Sequence, residues 1–296
     1  MLNKTPLRYP GGKSIMTPLL VDLLRINEMK NVTYAEPYAG GAGAAINLLL
    51  SDSVERIMIN DANIAIYSFW RAVVEDGKKF CDAISKVKVN LKTWNKMRTI
   101  LREEHEYSFE LGFATFFLSR TNRSGILNAG PIGGRTQELQ EKSTYKIDCR
   151  FNREDLIKRV SLISERKKQI LVTNKDAIKF LKDLRNNKYL VYLDPPYYKN
   201  GKTLYMNFYQ PKDHLALAEY LSSCKKLSWV LSYDDVPEIR KMYNNFKLYT
   251  FSLRYTAQTK KRGQELLCHS KDLIMPTSFL LRRGKTNNII IKEITK

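Results

Sequence analysis

The sequence predicts an α/β fold, a mostly parallel sheet interrupted by a long, mainly helical insertion. Short apolar runs rich in β-branched residues alternate with helix-periodic segments near both ends of the chain. The first such run, from Val32, passes through a glycine-rich turn ending at Gly43 into a helical stretch, Ala44 to Leu50. Strand, glycine turn and helix in that order make the opening βα unit of a Rossmann-like sheet. From about Ser68 to Lys168 the alternation is lost, and it resumes at Gln169.

Composition narrows the class. A chain of 296 residues can bury a full core, and its 43 % hydrophobic and 27 % charged residues are those of a globular protein. The formal charge of +20 is not ordinary and calls for a polyanionic partner, most simply nucleic acid. Cys81, Cys149, Cys224 and Cys268 lie far apart, which argues against a disulfide framework and a zinc cluster. No metal ligand set is expected. No signal-peptide core follows Met1 and no run is apolar enough to span a bilayer, so a cytoplasmic protein without membrane contact is expected.

Residues 7 to 13, Leu-Arg-Tyr-Pro-Gly-Gly-Lys, predict a tight loop before a helix from Ser14 to Ile26. Gly11 and Gly12 let backbone approach a ligand, and Lys13 adds a cation near the helix start. The turn of the first βα unit, Glu36-Pro37-Tyr38-Ala39-Gly40-Gly41-Ala42-Gly43, would bring backbone to a nucleoside-like molecule; its spacing is not that of a pyrophosphate cradle. The next strand, Arg56 to Asn60, ends at Asp61, the usual position for a carboxylate on ribose hydroxyls. Asp is also favoured at helix N-caps, which is the plainer reading.

The insertion has charged helical sequence from Phe80 to Glu104, then Phe113 to Gly125 and a basic, glycine-rich Asn128 to Gln137. Arg120, Asn122, Arg123, Ser124, Asn128 and Arg135 carry side chains of the kind that read base edges or hold phosphates, so this segment is read as the part that holds nucleic acid. A solvated surface loop is the alternative. Beyond it, Gln169 to Asn174 reads as a strand and Asp176 opens a helix from Ile178 to Leu184. Asp213 to Cys224 reads as a helix and Trp229 to Asp235 as a strand ending in polar residues. Phe246 to Tyr255 and Glu265 to His269 read as a closing antiparallel pair, joined by a basic turn with Lys260, Lys261 and Arg262.

The run Tyr189 to Leu193 reads as a buried strand that Asp194-Pro195-Pro196-Tyr197 ends abruptly. Pro195 has no N–H for a ladder, and Pro196 forces Pro195 into an extended conformation, so the carbonyls point outward. One carboxylate, a free carbonyl and an aromatic ring suit a planar amine. Asp194 and the Pro195 carbonyl would take its two hydrogens and favour the charged nitrogen that forms as it attacks. The Tyr197 ring offers a base a stacking face. A simple turn is the competing reading.

Tyr-Pro-Gly-Gly-Lys, Glu-Pro-Tyr-Ala-Gly-Gly-Ala-Gly, Asn-Asp-Ala-Asn, Arg-Thr-Asn-Arg-Ser-Gly with Gly-Pro-Ile-Gly-Gly, and Asp-Pro-Pro-Tyr follow one another in this chain. In that order and spacing they resemble the DNA adenine methylase family of S-adenosylmethionine-dependent, amino-directed methyltransferases, over nearly the whole sequence. The resemblance implies a methyltransferase sheet from residues 1–68 and 169–296 and a target-recognition module at 69–168. It implies that Tyr9, Lys13 and Asp61 contact S-adenosylmethionine, that Glu36, Pro37, Tyr38 and Gly40 form the loop beneath it, and that Asp176 lies beside its adenine. Asp194 would serve both cofactor and target amine, and Tyr197 would stack on a flipped adenine in double-stranded DNA. A restriction endonuclease of the same system is a partner such enzymes often have. The family commonly carries Trp where this chain has Tyr9, and Arg123 with Asn128 stand where GATC-methylating relatives carry an aromatic and an Arg, so GATC specificity does not carry over. Transfer to the cytosine amine, an RNA substrate and a non-catalytic DNA-binding protein on the same fold remain as rivals; a glycine-loop NAD enzyme is last.

Overall fold

A computed structural model describes residues 4–184, 188–199, 209–254, 262–283 and 285–294. The α/β expectation holds. Eight strands form one sheet in the order β10-β6-β7-β5-β4-β1-β2-β3. Its parallel part consists of β1 (Thr33–Glu36), β2 (Arg56–Asn60), β3 (Ile170–Thr173), β4 (Tyr189–Leu193) and β5 (Ser228–Asp234). β6 (Leu248–Arg254) and β7 (Arg262–His269) are the expected antiparallel pair, with Leu248 opposite Cys268 and β7 lying against β5. β10 (Lys292–Glu293) edges the sheet beside β6, while β8 (Ser278–Arg283) and β9 (Lys285–Ile290) form a separate ribbon.

Chain order decides where a ligand can sit. From β1 the chain runs outward to β2 and β3, then returns to β4 on the other side of β1. The order therefore reverses between β1 and β4, and open α/β sheets leave a crevice at the carboxyl ends of such a pair. Glu36 ends β1, and Asp194 directly follows β4.

The helices follow from their sequences. α1 (Thr17–Ile26) has Pro18 in its first turn and buries Leu19, Leu20, Leu23 and Leu24 on one stripe. α2 (Gly43–Leu50) is buried along nearly its whole length behind β1. Between β2 and β3 come α3 (Ile64–Glu75), α4 (Gly77–Lys86), α5 (Leu91–Glu103), α6 (Phe109–Thr121), α7 (Gln137–Lys142) and α8 (Arg153–Ser164). α6 is buried along nearly its whole length, and Phe80, Phe113 and Phe116 meet edge to face or tilted at 5.3 to 5.9 Å. α9 (Ala177–Asp183), α10 (Pro211–Ser223) and α11 (Pro237–Met242) flank the remaining strands.

The expected boundary at residue 68 falls inside α3. Its buried Phe69 and Trp70 belong to one apolar cluster that runs from Leu19 and Ile46 to Phe116 and Val160. The helical segment thus shares a core with one face of the sheet. No helix among the described residues is long and apolar enough to cross a membrane.

Candidate active site

Three loops at the carboxyl ends of the parallel strands are tied together by one side chain. Asn60 is fully buried; its amide donates to the carbonyls of Pro37 (3.0 Å) and Lys175 (2.9 Å), and its oxygen accepts from Thr173 Oγ1 and the Lys175 N–H. Every hydrogen-bonding group of that amide is used, so the loops after β1, β2 and β3 keep fixed relative positions. The next residue, Asp61, accepts from the N–H of Gly40 at 2.8 Å and of Asn63 at 2.9 Å. Burial pushes its pKa up to about 6 against those two hydrogen bonds. The N-cap of α3 is Asn63, which accepts from Ala65 and Ile66 N–H, so the plainer reading of Asp61 as the cap is set aside.

The glycine turn is shaped to lie under a ring. Gly40 has φ +44°, and a Cβ there would fall 2.6 Å from the Tyr9 ring. Trp70 Nε1 donates to the Gly40 carbonyl at 2.9 Å, holding the turn from the helical side. Glu36, buried at the end of β1, accepts from Tyr34 Oη at 2.9 Å and from the Ala45 N–H at 3.0 Å, which anchors the start of α2. Burial raises its pKa to about 8, opposed by those hydrogen bonds.

These groups line one cleft. The structure brings Tyr9, Gly11, Gly12, Lys13, Glu36, Pro37, Tyr38, Gly40, Asp61, Asp176 and Asp194 around it, with Pro196 and Tyr209. Tyr38 and Tyr209 join hydroxyl to hydroxyl at 2.7 Å. Asp176 caps α9, accepting from the N–H of Ile178 and Lys179. Pro195 and Tyr197 are not in the cleft wall.

Behind the wall lies a chain of polar groups. Lys13 Nζ is 2.8 Å from Asp194 Oδ1 and donates to Tyr197 Oη at 2.9 Å. The Tyr197 hydroxyl in turn donates to Glu265 Oε1, and Ser232 Oγ donates to Asp194 Oδ1 at 3.0 Å. Burial works against the Lys13 ammonium, but Asp194 and Glu265 hold its pKa well above the ordinary value. Burial raises the Asp194 pKa, and Lys13 and Ser232 oppose that rise. Asp234, at the end of β5, accepts from the N–H of Tyr198 (2.9 Å) and Lys199 (3.1 Å), fixing the chain just past the prolines.

Glu265 and Ser232 escaped the sequence reading. Ser232 lies in the strand noted for its polar end. Glu265 directly precedes the apolar run Leu266-Leu267-Cys268, and a carboxylate set against such a run was the signal that could have found it.

The residues chosen for DNA divide into two groups. Arg123, Ser124, Asn128 and Arg135 are exposed, and the Arg123 and Arg135 guanidinium groups both pack over Gly130, 3.0 and 3.3 Å from where its Cβ would stand. Asn122 is a correction. It is fully buried, accepts from Trp94 Nε1 at 2.7 Å and donates to the carbonyls of Ile126 and Leu127, so it shapes the loop from within. Arg120 is a second correction. Its guanidinium is bonded to the Pro6 carbonyl, and burial, with Arg159 and Arg8 nearby, lowers its pKa to about 9. Lys260 and Lys261 lie outside the described residues, and Arg262 begins β7. Among the described residues no cluster of His, Cys, Asp or Glu is arranged for a metal.

The chain matches, over residues 9–257, the model of a family described as D12 class N6 adenine-specific DNA methyltransferase. No curated protein matches it. Among solved structures it is similar to a conserved hypothetical protein of Streptococcus pyogenes, at 11 % identity and a TM-score of 0.34, covering 86 % of this chain and 95 % of that one. It is also similar to the rRNA methyltransferase AviRa from Streptomyces viridochromogenes, at 12 % identity and a TM-score of 0.34, covering 86 % of this chain and 84 % of that one.

Proposed function

The chain belongs to the D12 class N6 adenine-specific DNA methyltransferase family, and on that premise we propose that it moves a methyl group from S-adenosylmethionine to an adenine swung out of duplex DNA into the Asp194 corner. The observation that carries the reading is the position of Asp194. It sits at the reversal point of the sheet, on the wall of the one cleft that also gathers Glu36, Asp61 and the Gly40 turn.

The cleft suits a nucleoside that carries a positive sulfonium. Apart from its tyrosines and Glu36, whose raised pKa leaves it largely uncharged, its ionisable side chains are the carboxylates of Asp61, Asp176 and Asp194, and Lys13, which is already held by Asp194. The absent Cβ of Gly40 leaves the Tyr9 ring against bare backbone, a flat floor on which a ligand can lie. Asp61 would accept from ribose hydroxyls and Asp176 from the exocyclic amine of the cofactor's adenine. When bound, S-adenosylmethionine supplies an already activated methyl group, so the protein's work is orientation and electrostatics.

Lys13 and Ser232 both engage Oδ1 of Asp194, so Oδ2 is the oxygen we assign to one hydrogen of the target amine. The Pro195 carbonyl, freed from any ladder, takes the other. Together they favour the pyramidal, positive nitrogen of the transition state, and Asp194 can accept the proton that nitrogen then loses. Tyr197 is assigned to the face of the flipped base. Arg123, Ser124, Asn128 and Arg135, on the loop between α6 and α7, are assigned to the duplex, with Lys260, Lys261 and Arg262 as a second basic contact. The helical segment between β2 and β3 is thereby assigned to DNA.

The test is chemical. Unmethylated DNA is incubated with methyl-labelled S-adenosylmethionine, digested and resolved into nucleosides. Label in N6-methyladenine is expected. Label in N4-methylcytosine, or in RNA alone, would overturn the choice of substrate.

A further inference from the structure

Glu265 sits where a sheet has no use for a carboxylate. It lies on β7 between Asp234 of β5 and Phe251 of β6, is 1 % exposed, and is followed by buried Leu266, Leu267 and Cys268. Removing a carboxyl from water is costly unless its oxygens are satisfied. Oε1 accepts from the Tyr197 hydroxyl, yet Oε2 is buried with no hydrogen-bond partner among the described residues. An aliphatic side chain would fill the same space without that cost, so the reason for a carboxyl lies in what it holds.

What it holds is the far end of Tyr197. The near end of that residue is already set: Pro195 and Pro196 restrict the backbone before it, and Asp234 takes the N–H groups of Tyr198 and Lys199 after it. The ring could still turn about its side-chain torsions. Hydrogen bonds at the hydroxyl, one accepted from Lys13 and one donated to Glu265, remove that freedom. The same phenol steadies Lys13, which passes 5.0 Å from the ring centroid and reaches Asp194.

We propose that Glu265 is a positioning residue for the target-base pocket: by accepting the Tyr197 hydroxyl it fixes the plane on which the base stacks and, through that phenol, the place of Lys13 beside Asp194. The proposal rests on the assignment of Tyr197 to the flipped base. Burial pushes the Glu265 pKa up to about 7, with Lys13 opposing, and the tether survives either protonation state because a neutral carboxyl keeps its carbonyl oxygen.

The experiment compares Tyr197→Phe, Glu265→Ala, Glu265→Gln and Tyr197→Phe/Glu265→Ala in the full chain, with labelled S-adenosylmethionine and unmethylated plasmid DNA. Glu265→Ala should lower kcat about tenfold, the scale of one lost hydrogen bond, and Tyr197→Phe, which also loses the Lys13 bond, at least as much, with KM for S-adenosylmethionine within about twofold. Glu265→Gln, which keeps an acceptor, should recover most of that loss. The double variant should be no slower than the slower single variant, since both remove the Tyr197–Glu265 bond. A wild-type kcat in Tyr197→Phe, or additive losses in the double variant, would overturn the proposal. If Glu265→Ala does not fold, Glu265→Leu removes the acceptor without leaving a cavity and decides in its place, because Tyr197→Phe removes the Lys13 bond as well. Tyr197→Ala separates the proposal from its premise. Full activity there removes the stacking role itself, whereas loss in Tyr197→Ala with none in Tyr197→Phe defeats only the role of Glu265.

Discussion

Lys13 and Asp194 form a nearly enclosed ion pair, 2.8 Å long, in which the ammonium is 6 % and the carboxylate 16 % exposed. The two residues come from motifs far apart in sequence, the Tyr-Pro-Gly-Gly-Lys loop and the Asp-Pro-Pro-Tyr corner. The first motif therefore supplies a counter-ion that favours the charged form of the carboxylate in the second. Lys13→Met should leave Asp194 uncompensated, lowering stability by about 3–5 kcal/mol in urea unfolding. It should also raise the Asp194 pKa further, since Lys13 now opposes the burial that lifts it. If the ionised carboxylate is the working form, the low-pH limb of the rate profile moves up and activity recovers in part in more alkaline buffer. An unmoved limb would contradict this.

Asp194→Asn keeps the shape of the side chain and removes the charge. Loss of an electrostatic contact made chiefly in the transition state costs on the order of 10²- to 10³-fold in rate. DNA retention, measured by filter binding, should change by less than about twofold, because the duplex is assigned to other residues. An Asp194→Asn protein with more than about a tenth of the wild-type rate would sink the assignment of Oδ2 to the amine.

Much of this was legible in the sequence, and what was missed has a physical reason. β2 falls on the predicted residues because apolar alternation and a polar stop mark both its ends. Glu36, Pro37, Tyr38, Gly40, Asp61, Asp176 and Asp194 converge on one cleft because each lies at the end of a strand or in the loop after it, and strand ends of a parallel sheet share an edge; Tyr9, Gly11, Gly12 and Lys13 reach it from the loop before α1. Asn122 misled because Asn on a loop looks the same in sequence whether it faces water or satisfies three groups inside. Glu265 was passed over because its partner, Tyr197, lies two strands away, and the order β4-β5-β7 cannot be read from local pattern.

Cofactor binding should depend on pH through Asp61. Burial sets its pKa at about 6, and hydroxyl donors favour the ionised form. Below that value the protonated carboxyl must lose its proton before it can accept two hydroxyls. Affinity for S-adenosylmethionine should thus rise as pH goes from about 5 to about 7 and level above it, by roughly tenfold in all. Calorimetry in buffers of different ionisation enthalpy would show protons released on binding near pH 6. Asp61→Asn should bind more weakly and lose the pH dependence; a slope that persists in Asp61→Asn points to another group.

The two kinds of basic-loop residue should separate in salt titrations. Arg123 and Arg135 are exposed and share the space above Gly130, so two phosphates, or one phosphate and a base edge, can be met from one place. If each contacts a phosphate, replacing either by Ala lowers the slope of log affinity against log salt by about 0.9. Asn122→Ala should behave in the opposite way. It strands Trp94 Nε1 and two carbonyls in the interior, at about 1–3 kcal/mol of stability, while the salt slope stays as it was. A stable Asn122→Ala protein with a weakened slope would return Asn122 to the DNA-contacting set, and unchanged slopes in both arginine variants would remove the loop between α6 and α7 from it.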